Sequence, residues 1–202
     1  MDVTAALRAR RMTRSFDASP LDPDEVDELL STALRAPSAG NSRGIGWVSL
    51  IGKREVERYF AAATDDAWRA SSPRAEGLAR ASAIGLCLAD PAAYVARYAA
   101  EDKVTSGLGA GPSAWPIPYW IGDAGATVLA SLLLAEERGW AACFLGTFRR
   151  AAELRAAFSI PPSVVIYGAV LLGRADGADH PSRSLDRRVP TRASLVRRGR
   201  WS

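Results

Sequence analysis

The sequence predicts an α+β protein in which helices pack on a mixed or antiparallel sheet and a long extended tail follows. Apolar patterns with helical and strand periodicity alternate along residues 1–172. The strands lack the glycine-rich turns that open the helices of a doubly wound parallel sheet. Residues 173–202 carry no periodic pattern. A chain of 202 residues is long enough to bury one core, so we interpret residues 1–202 as a single domain with residues 173–202 as its tail.

The first clearly marked helix follows Asp22. Asp22 is expected to cap it, Pro23 suits its first position and Glu25 its first turn. Apolar residues then recur at helical spacing until Ala36 and Pro37 end the helix. The elements expected next are a small-residue loop at 37–46, a strand at 47–51, a helix carrying Val56, Tyr59, Phe60 and Ala63, a polar stretch at 64–76, and a strand at 83–89 closed by Asp90 and Pro91.

The second half begins with a long irregular connection. Residues 101–118 contain three glycines and three prolines, and loops of this length are usually functional or disordered. Asp123 is then expected to cap a helix that runs to Arg138 and stops at Gly139. Its apolar residues wrap most of the circumference, which is typical of a buried central helix. A strand at 141–145, a helix at 149–158 and a strand at 164–172 complete the prediction.

Composition excludes several classes of protein. No run approaches eighteen apolar residues, so a membrane span is not expected. The first residues contain no apolar run behind Met1, so we expect no secretory signal and a cytoplasmic protein. Cys87 and Cys143 lie within apolar runs and are interpreted as buried, reduced thiols.

The positive charge is concentrated in the tail. The formal net charge is +4, yet residues 173–202 contain eight arginines and three aspartates. The rest of the chain therefore carries a slight negative charge, which is not typical of a nucleic-acid-binding surface. The tail is too polar to form its own core. It is either disordered or lies along another surface, and we favour a second subunit.

The inventory of reactive side chains is short. His180 is the only histidine, and no serine elbow, zinc spacing or phosphate-binding loop with its lysine is present. The glycines at 107, 109 and 111 follow no strand and precede Pro112, so they do not fit a dinucleotide-binding turn. We therefore expect no metal site and no catalytic side chain. Either the protein binds a partner, or an organic cofactor carries its chemistry.

Four segments together resemble the FMN-dependent nitroreductase family, in order and spacing, along nearly the whole chain. They are the stretch Arg10–Phe16, the loop Ala36–Ser42, the helix opened by Asp123-Ala124-Gly125-Ala126 with the following Gly139–Gly146, and the strand Val164–Gly173 followed by Arg187-Arg188-Val189-Pro190. The resemblance implies a nitroreductase-like fold with a mostly antiparallel sheet and a tail that reaches the second subunit of a homodimer.

The resemblance also implies a set of cationic FMN contacts. Arg10 and Arg188 correspond to the residues that hold the phosphate, which suits the bidentate geometry of arginine. Arg11 would lie near the ribityl chain or the pyrimidine. Arg14 would lie near flavin N1 and the C2 carbonyl, where reduction places negative charge. Met12 stands where the family usually has a small hydroxyl residue, so one hydrogen bond expected at that position is absent.

Neutral contacts complete the site that the resemblance implies. Pro37, Ser38, Ala39 and Asn41 match the loop that covers the flavin from the neighbouring subunit, and Leu145, Gly146 and Thr147 match the backbone near N5. Tyr119 and Trp120 line the substrate pocket or belong to the core. Without the resemblance, Arg10, Arg11 and Arg188 would be interpreted as solvated charges, Asp123 as a helix cap and Arg43 as a surface residue.

These implications lead to one functional prediction and two alternatives. The prediction is an FMN oxidoreductase that passes hydride from NAD(P)H to a small acceptor, such as a nitroaromatic compound or a quinone, with no nucleic-acid or membrane partner. One alternative is a specialised flavin-binding or flavin-consuming biosynthetic enzyme of the same fold. The other is a non-enzymatic binding module with a basic tail.

Overall fold

The computed structural model describes residues 1–179 and 195–201. His180, Arg187 and Arg188 lie outside the described residues, so the predicted path of the tail and the role of Arg188 remain predictions.

The described part of the chain contains eight α-helices and four strands. The helices are α1 (Val3–Ala9), α2 (Pro23–Ala33), α3 (Lys53–Ala63), α4 (Asp66–Ser71), α5 (Ala75–Ala79), α6 (Pro91–Tyr98), α7 (Tyr119–Glu137) and α8 (Ala151–Phe158). The strands are β1 (Ile45–Ile51), β2 (Ala83–Ala89), β3 (Ala141–Gly146) and β4 (Val165–Gly173).

The four strands form one antiparallel sheet in the order β1-β2-β4-β3. Trp47 of β1 lies opposite Cys87 of β2, and Leu145 of β3 lies opposite Ala169 of β4. β1 and β3 are therefore the two outer strands. This topology confirms the predicted α+β class, with helices on a mostly antiparallel sheet.

Each face of the sheet carries its own apolar core. On one face, α2 and α7 pack together, and residues such as Leu29, Val128 and Leu172 are buried there. On the other face, α3 packs on α8, and Val56 and Leu171 are buried. The adjacent residues Leu171 and Leu172 enter opposite cores because successive side chains of a strand point to opposite faces.

Several predicted element boundaries are wrong. α7 begins at Tyr119, so Asp123 lies inside this helix and is not its cap. The polar stretch at 64–76 contains two short helices, α4 and α5, and the side chain of Asp65 caps the first of them. α6 was not predicted, although the side chain of Asp90 caps it and Pro91 opens it. The same pair of signals, an aspartate followed by proline, was recognised at α2.

Candidate active site

The segment Arg10–Ser15, called the basic strip below, runs along the outer strand β3. The backbone N–H of Thr13 donates to the carbonyl of Ala142 at 2.9 Å, and the N–H of Phe144 donates to Met12 Sδ at 3.4 Å. An outer strand has unpaired backbone groups on its free side, and the strip meets some of them. The structure thus brings Met12 next to the strand that ends in Leu145 and Gly146.

Two buried polar atoms of the predicted site residues have no partner among the described residues. They are Nη1 of Arg10 and Oγ1 of Thr147. The third such atom, Nε1 of Trp47, lies on β1 at the far side of the sheet. Leaving a buried donor unpaired costs about 1–3 kcal/mol, and more when the group is charged. Arg10 as a whole is half-buried, but this buried guanidinium donor has no acceptor among the described residues and therefore fits an anionic ligand.

The carboxylate of Asp179 and the guanidinium of Arg74 lie near Arg14. The backbone N–H of Arg14 donates to Asp179 Oδ2 at 2.9 Å, and its Nη1 donates to the carbonyl of Met12 at 3.0 Å. Burial raises the pKa of the nearby Cys143 thiol to about 11, the charges of Arg14 and Arg74 lower it, and Asp179 raises it. Arg74 therefore lies in the same neighbourhood. Sequence reasoning missed it, because it falls in a stretch interpreted as a connection.

The helix that carries Arg74 at its start is packed closely on the strip. A Cβ atom on Gly77 of α5 would lie 2.6 Å from the carbonyl oxygen of Arg14, so only glycine allows this approach. The N–H of Phe16 also donates to the carbonyl of Gly77.

The side chain of Arg11 is bonded to α1. Its Nη1 donates to the carbonyls of Arg8 and Ala9 at the end of that helix, at 2.8 Å each.

The first residues after β4 are bonded to the strip and to Phe16, the residue that follows it. Phe16 forms an antiparallel bridge with Ala175. The carboxylate of Asp176 accepts hydrogen bonds from the Ser15 hydroxyl at 2.6 Å and from Arg80 Nη2 at 2.7 Å. The Ser15 hydroxyl is the main cause of the lowered pKa of Asp176, followed by the backbone N–H of Ala178. The root of the tail is therefore held beside Arg14.

Residues 37–43, called the cover loop below, lie at the start of β1. Gly40, Asn41 and Arg43 all have positive φ angles, of 61°, 57° and 53°. At Gly40 a side chain is also excluded, since a Cβ atom there would lie 2.7 Å from the ring of Tyr98. A run of such angles in non-glycine residues is strained and persists only when the surroundings hold it.

The cover loop is held by α6 and α7. Asp123 Oδ2 accepts hydrogen bonds from the backbone N–H of Ala39 at 2.8 Å and from the Tyr94 hydroxyl at 2.7 Å. Burial and the bond to Asp123 raise the pKa of Tyr94. Arg97 of α6 donates from Nε to the carbonyl of Gly40 at 2.9 Å, while its Nη atoms pair with Asp102. Asp123 is therefore a support of the cover loop.

The predicted site residues form two groups at opposite edges of the sheet. The basic strip and Leu145–Thr147 lie at the β3 edge, whereas Pro37, Ser38, Ala39 and Asn41 lie at the β1 edge. Three strand spacings of about 4.8 Å separate the two outer strands, about 14 Å in all. The structure therefore does not assemble the two groups into one cluster within a single chain.

Each group has its own cleft. A cleft of about 870 Å³ extends from Leu145, Gly146 and Thr147, with an aromatic lining that includes Tyr59, Trp68 and Phe148. A cleft of about 470 Å³ lies beside the cover loop.

The two aromatic residues predicted for the substrate pocket or the core differ in exposure. Trp120 is 7% exposed and lies in a core cluster with Tyr94 and Trp115, whereas Tyr119 is 49% exposed.

Comparison with known proteins identifies the family. The profile of the Nitroreductase family matches residues 7–174. The chain belongs to the Nitroreductase family. This nitroreductase-family chain is 24% identical, over 195 residues, to an Archaeoglobus fulgidus protein that bears the provisional name NADH dehydrogenase/NAD(P)H nitroreductase. The match covers 95% of this chain and 94% of the relative.

Solved structures share the nitroreductase fold. A nitroreductase family protein from Clostridium difficile 630 superposes with a TM-score of 0.69 at 19% identity, over 100% of both chains. A provisionally named nitroreductase from Exiguobacterium sibiricum 255-15, solved in complex with FMN, has a TM-score of 0.69 at 18% identity and 94% coverage of both chains. Family membership confirms the resemblance inferred from the sequence and the predicted class of enzyme, a nitroreductase-type oxidoreductase.

Among the described residues, no helix combines the length and apolarity needed to cross a membrane.

Proposed function

We propose that this nitroreductase-family protein binds FMN, takes hydride from NAD(P)H and delivers it to a small acceptor such as a nitroaromatic compound or a quinone. The observation that carries the proposal is the buried Nη1 of Arg10, which has no partner among the described residues and belongs to a strip that also carries Arg11 and Arg14. The FMN found in the Exiguobacterium sibiricum relative supports the choice of flavin.

The residues of the β3 edge fit the parts of FMN. Arg10 would hold the phosphate, with Arg188 as its predicted partner from the tail. Arg14, with Arg74 nearby, would stabilise negative charge at the pyrimidine edge, and Arg11 would contribute from the end of α1. Leu145, Gly146 and Thr147 would lie along the central ring, where the free Thr147 hydroxyl is available to a polar atom.

The bound flavin supplies reversible hydride transfer, so no side chain is assigned a proton-transfer step. The protein has three tasks. It holds the phosphate, it keeps fixed positive charge near the edge of the ring that gains electron density, and it excludes water. The aromatic side chains Tyr59, Trp68 and Phe148 in the cleft beside Leu145 provide apolar surface for the third task.

We propose that the active site is completed in a homodimer. The cover loop lies at the edge of the sheet opposite to the basic strip, so the loop of a second copy is needed to cover a flavin bound at the strip. The central helix α7 also has an apolar side that the described residues leave partly uncovered: Leu129 is 43% exposed, and Ala126 and Leu133 are only partly buried. A stable dimer of this kind typically buries about 2,000 Å² or more.

A visible spectrum and an anaerobic titration test the proposed function. Purified protein incubated with FMN should retain a yellow, flavin-type spectrum after gel filtration, and NADH or NADPH should bleach it. Light scattering on the same sample should give the mass of a dimer. Protein that retains no flavin, or flavin that neither nucleotide reduces, would contradict the proposal.

Variants of arginine test the phosphate contact. Arg10→Ala should weaken FMN binding about ten- to a hundredfold, since a charge-assisted hydrogen bond contributes about 1.5–3 kcal/mol. Arg8→Ala is the matched control, because Arg8 is an exposed residue of the same helix region. Riboflavin, which lacks the phosphate, should bind both variants and the wild type with similar affinity.

A further inference from the structure

The cleft beside the cover loop is basic. It has a volume of about 470 Å³, and its lining includes Ser31, Arg35, Ser38, Asn41, Arg43 and Thr127. Among the described residues, two arginines line it and no carboxylate does. Both arginines are exposed, and neither forms an ion pair with another described residue. Two cations that share a cleft without a countercharge repel each other unless an anion joins them.

Arg43 is held in a defined orientation. Its backbone N–H donates to Ser38 Oγ at 3.2 Å, and its Nε donates to Asn41 Oδ1 at 3.2 Å. The bond to Asn41 uses only Nε of the guanidinium, so the two Nη atoms remain to donate to a ligand. The residue adopts φ of 53°, a conformation that residues other than glycine and asparagine rarely adopt. The loop thus keeps an arginine where backbone conformation alone favours glycine.

Arg35 reaches the cleft from a different element. It lies two residues after α2 ends at Ala33, where its backbone N–H donates to the carbonyl of Thr32 at 3.0 Å. Ser31, one turn earlier, lines the same cleft. Asp123 lies one turn before Thr127 on α7, but its carboxylate already accepts hydrogen bonds from the cover loop and from Tyr94. Among the described residues that line this cleft, the two arginines are therefore the available charged groups.

We propose that Arg35 and Arg43 form an anion subsite that selects substrates bearing a phosphate or a carboxylate. The inference rests on the proposed function, in which the cover loop faces the flavin held by a second copy. A substrate that reaches the flavin there passes the two guanidinium groups, and the paired N–H groups of arginine match the oxygens of both anions. The anion belongs either to the reductant, as the 2′-phosphate of NADPH, or to the acceptor, as a carboxylate.

Paired substrates distinguish these two sources. NADPH and NADH differ by the 2′-phosphate, and 4-nitrobenzoate and 4-nitrobenzyl alcohol differ by the carboxylate. In one of the two pairs, the wild type should have a higher kcat/KM for the substrate that carries the additional anion than for the substrate that lacks it. Arg43→Gly should reduce this ratio of kcat/KM values about tenfold. Glycine tolerates positive φ, so this variant keeps the loop backbone. Arg43→Lys should restore part of the preference because it keeps the charge, and Arg35→Gln should reduce it.

A binding measurement separates failure of the subsite from failure of the proposed function. Calorimetry with 2′,5′-ADP and with 4-nitrobenzoate reports anion binding whether or not the protein turns over. We expect one of these two ligands to bind wild type and Arg54→Gln, a control on the exposed face of α3, and to bind Arg43→Gly about tenfold more weakly. Equal affinity in all three proteins, or binding of neither ligand to the wild type, would overturn the subsite. Absence of turnover with intact anion binding would overturn only the proposed function.

Discussion

Replacing Asp123 with alanine should detach the cover loop from the core of the protein. In the native structure one oxygen, Asp123 Oδ2, accepts hydrogen bonds from the backbone N–H of Ala39 at 2.8 Å and from the Tyr94 hydroxyl at 2.7 Å. Alanine offers neither donor an acceptor. Ala39 belongs to the cover loop and Tyr94 to α6, so one substitution affects two elements that pack against α7.

The stability lost in Asp123→Ala follows from the number of hydrogen bonds removed and from their exposure to water. A hydrogen bond to a charged group contributes about 1.5–3 kcal/mol. Two such bonds set an upper bound of about 6 kcal/mol, and water recovers part of it because Asp123 is only partly buried. We expect Asp123→Ala to lower the free energy of unfolding by about 3 kcal/mol. For a chain of this size, that is a fall in Tm of about 6–12 °C.

Two companion variants make the measurement specific. Asp123→Asn retains an acceptor oxygen and should lose less stability than the alanine variant. Tyr94→Phe removes one of the two bonds and should lose about half as much. Because the bonds share an acceptor, the losses of Tyr94→Phe and Asp123→Ala should not add in the double variant.

Thermal unfolding followed by circular dichroism, at one protein concentration and without added flavin, measures these effects. The fixed conditions matter because ligand and dimer formation both raise the apparent Tm. In steady-state assays, Asp123→Ala should also raise KM for the acceptor, because the cover loop loses its attachment. A Tm within about 2 °C of the wild type, with unchanged KM, would refute the idea that Asp123 positions the loop.

Three further predictions concern the basic strip, the root of the tail and the thiols. Arg14→Gln should lower the reduction potential of bound FMN and slow its reduction by NAD(P)H, because a cation near the reduced ring is lost. Spectroelectrochemistry checks this, and an unchanged potential would assign Arg14 another role. The pKa of Asp176 is lowered in the folded protein, so its contribution to stability is present at neutral pH and is lost as pH falls below about 4. Asp176→Asn should therefore lower Tm at pH 7, and the difference from wild type should shrink towards pH 3; a constant difference would argue against the ionised pair. Burial raises the pKa of Cys87 to about 12 and of Cys143 to about 11. Neither thiol should react with Ellman's reagent at pH 8 until the protein unfolds, and rapid labelling of the native protein would contradict their burial.

The predicted elements that the structure confirms are those with strong local signals. The helix after Asp22 was predicted from its cap, its first-turn proline and its apolar spacing, and α2 begins at Pro23 as expected. The strand predicted at 83–89 is β2 with the same boundaries. The prediction is incomplete where the same two residues end one element and begin the next. Asp90 and Pro91 mark the end of the predicted strand, and they also mark the start of α6.

Local sequence patterns are enough to predict the helix and the strand named above and, through four segments that resemble it, the family of the protein. Both depend on short-range patterns, since caps and apolar periodicity act over a few residues. The role of Asp123, which binds Ala39 across 84 positions of the chain, is visible only in the folded protein. The proximity of Arg74 to Arg14 is likewise visible only there. Such contacts depend on sheet order and helix packing, because the chain brings distant residues together only after many apolar side chains have found common cores.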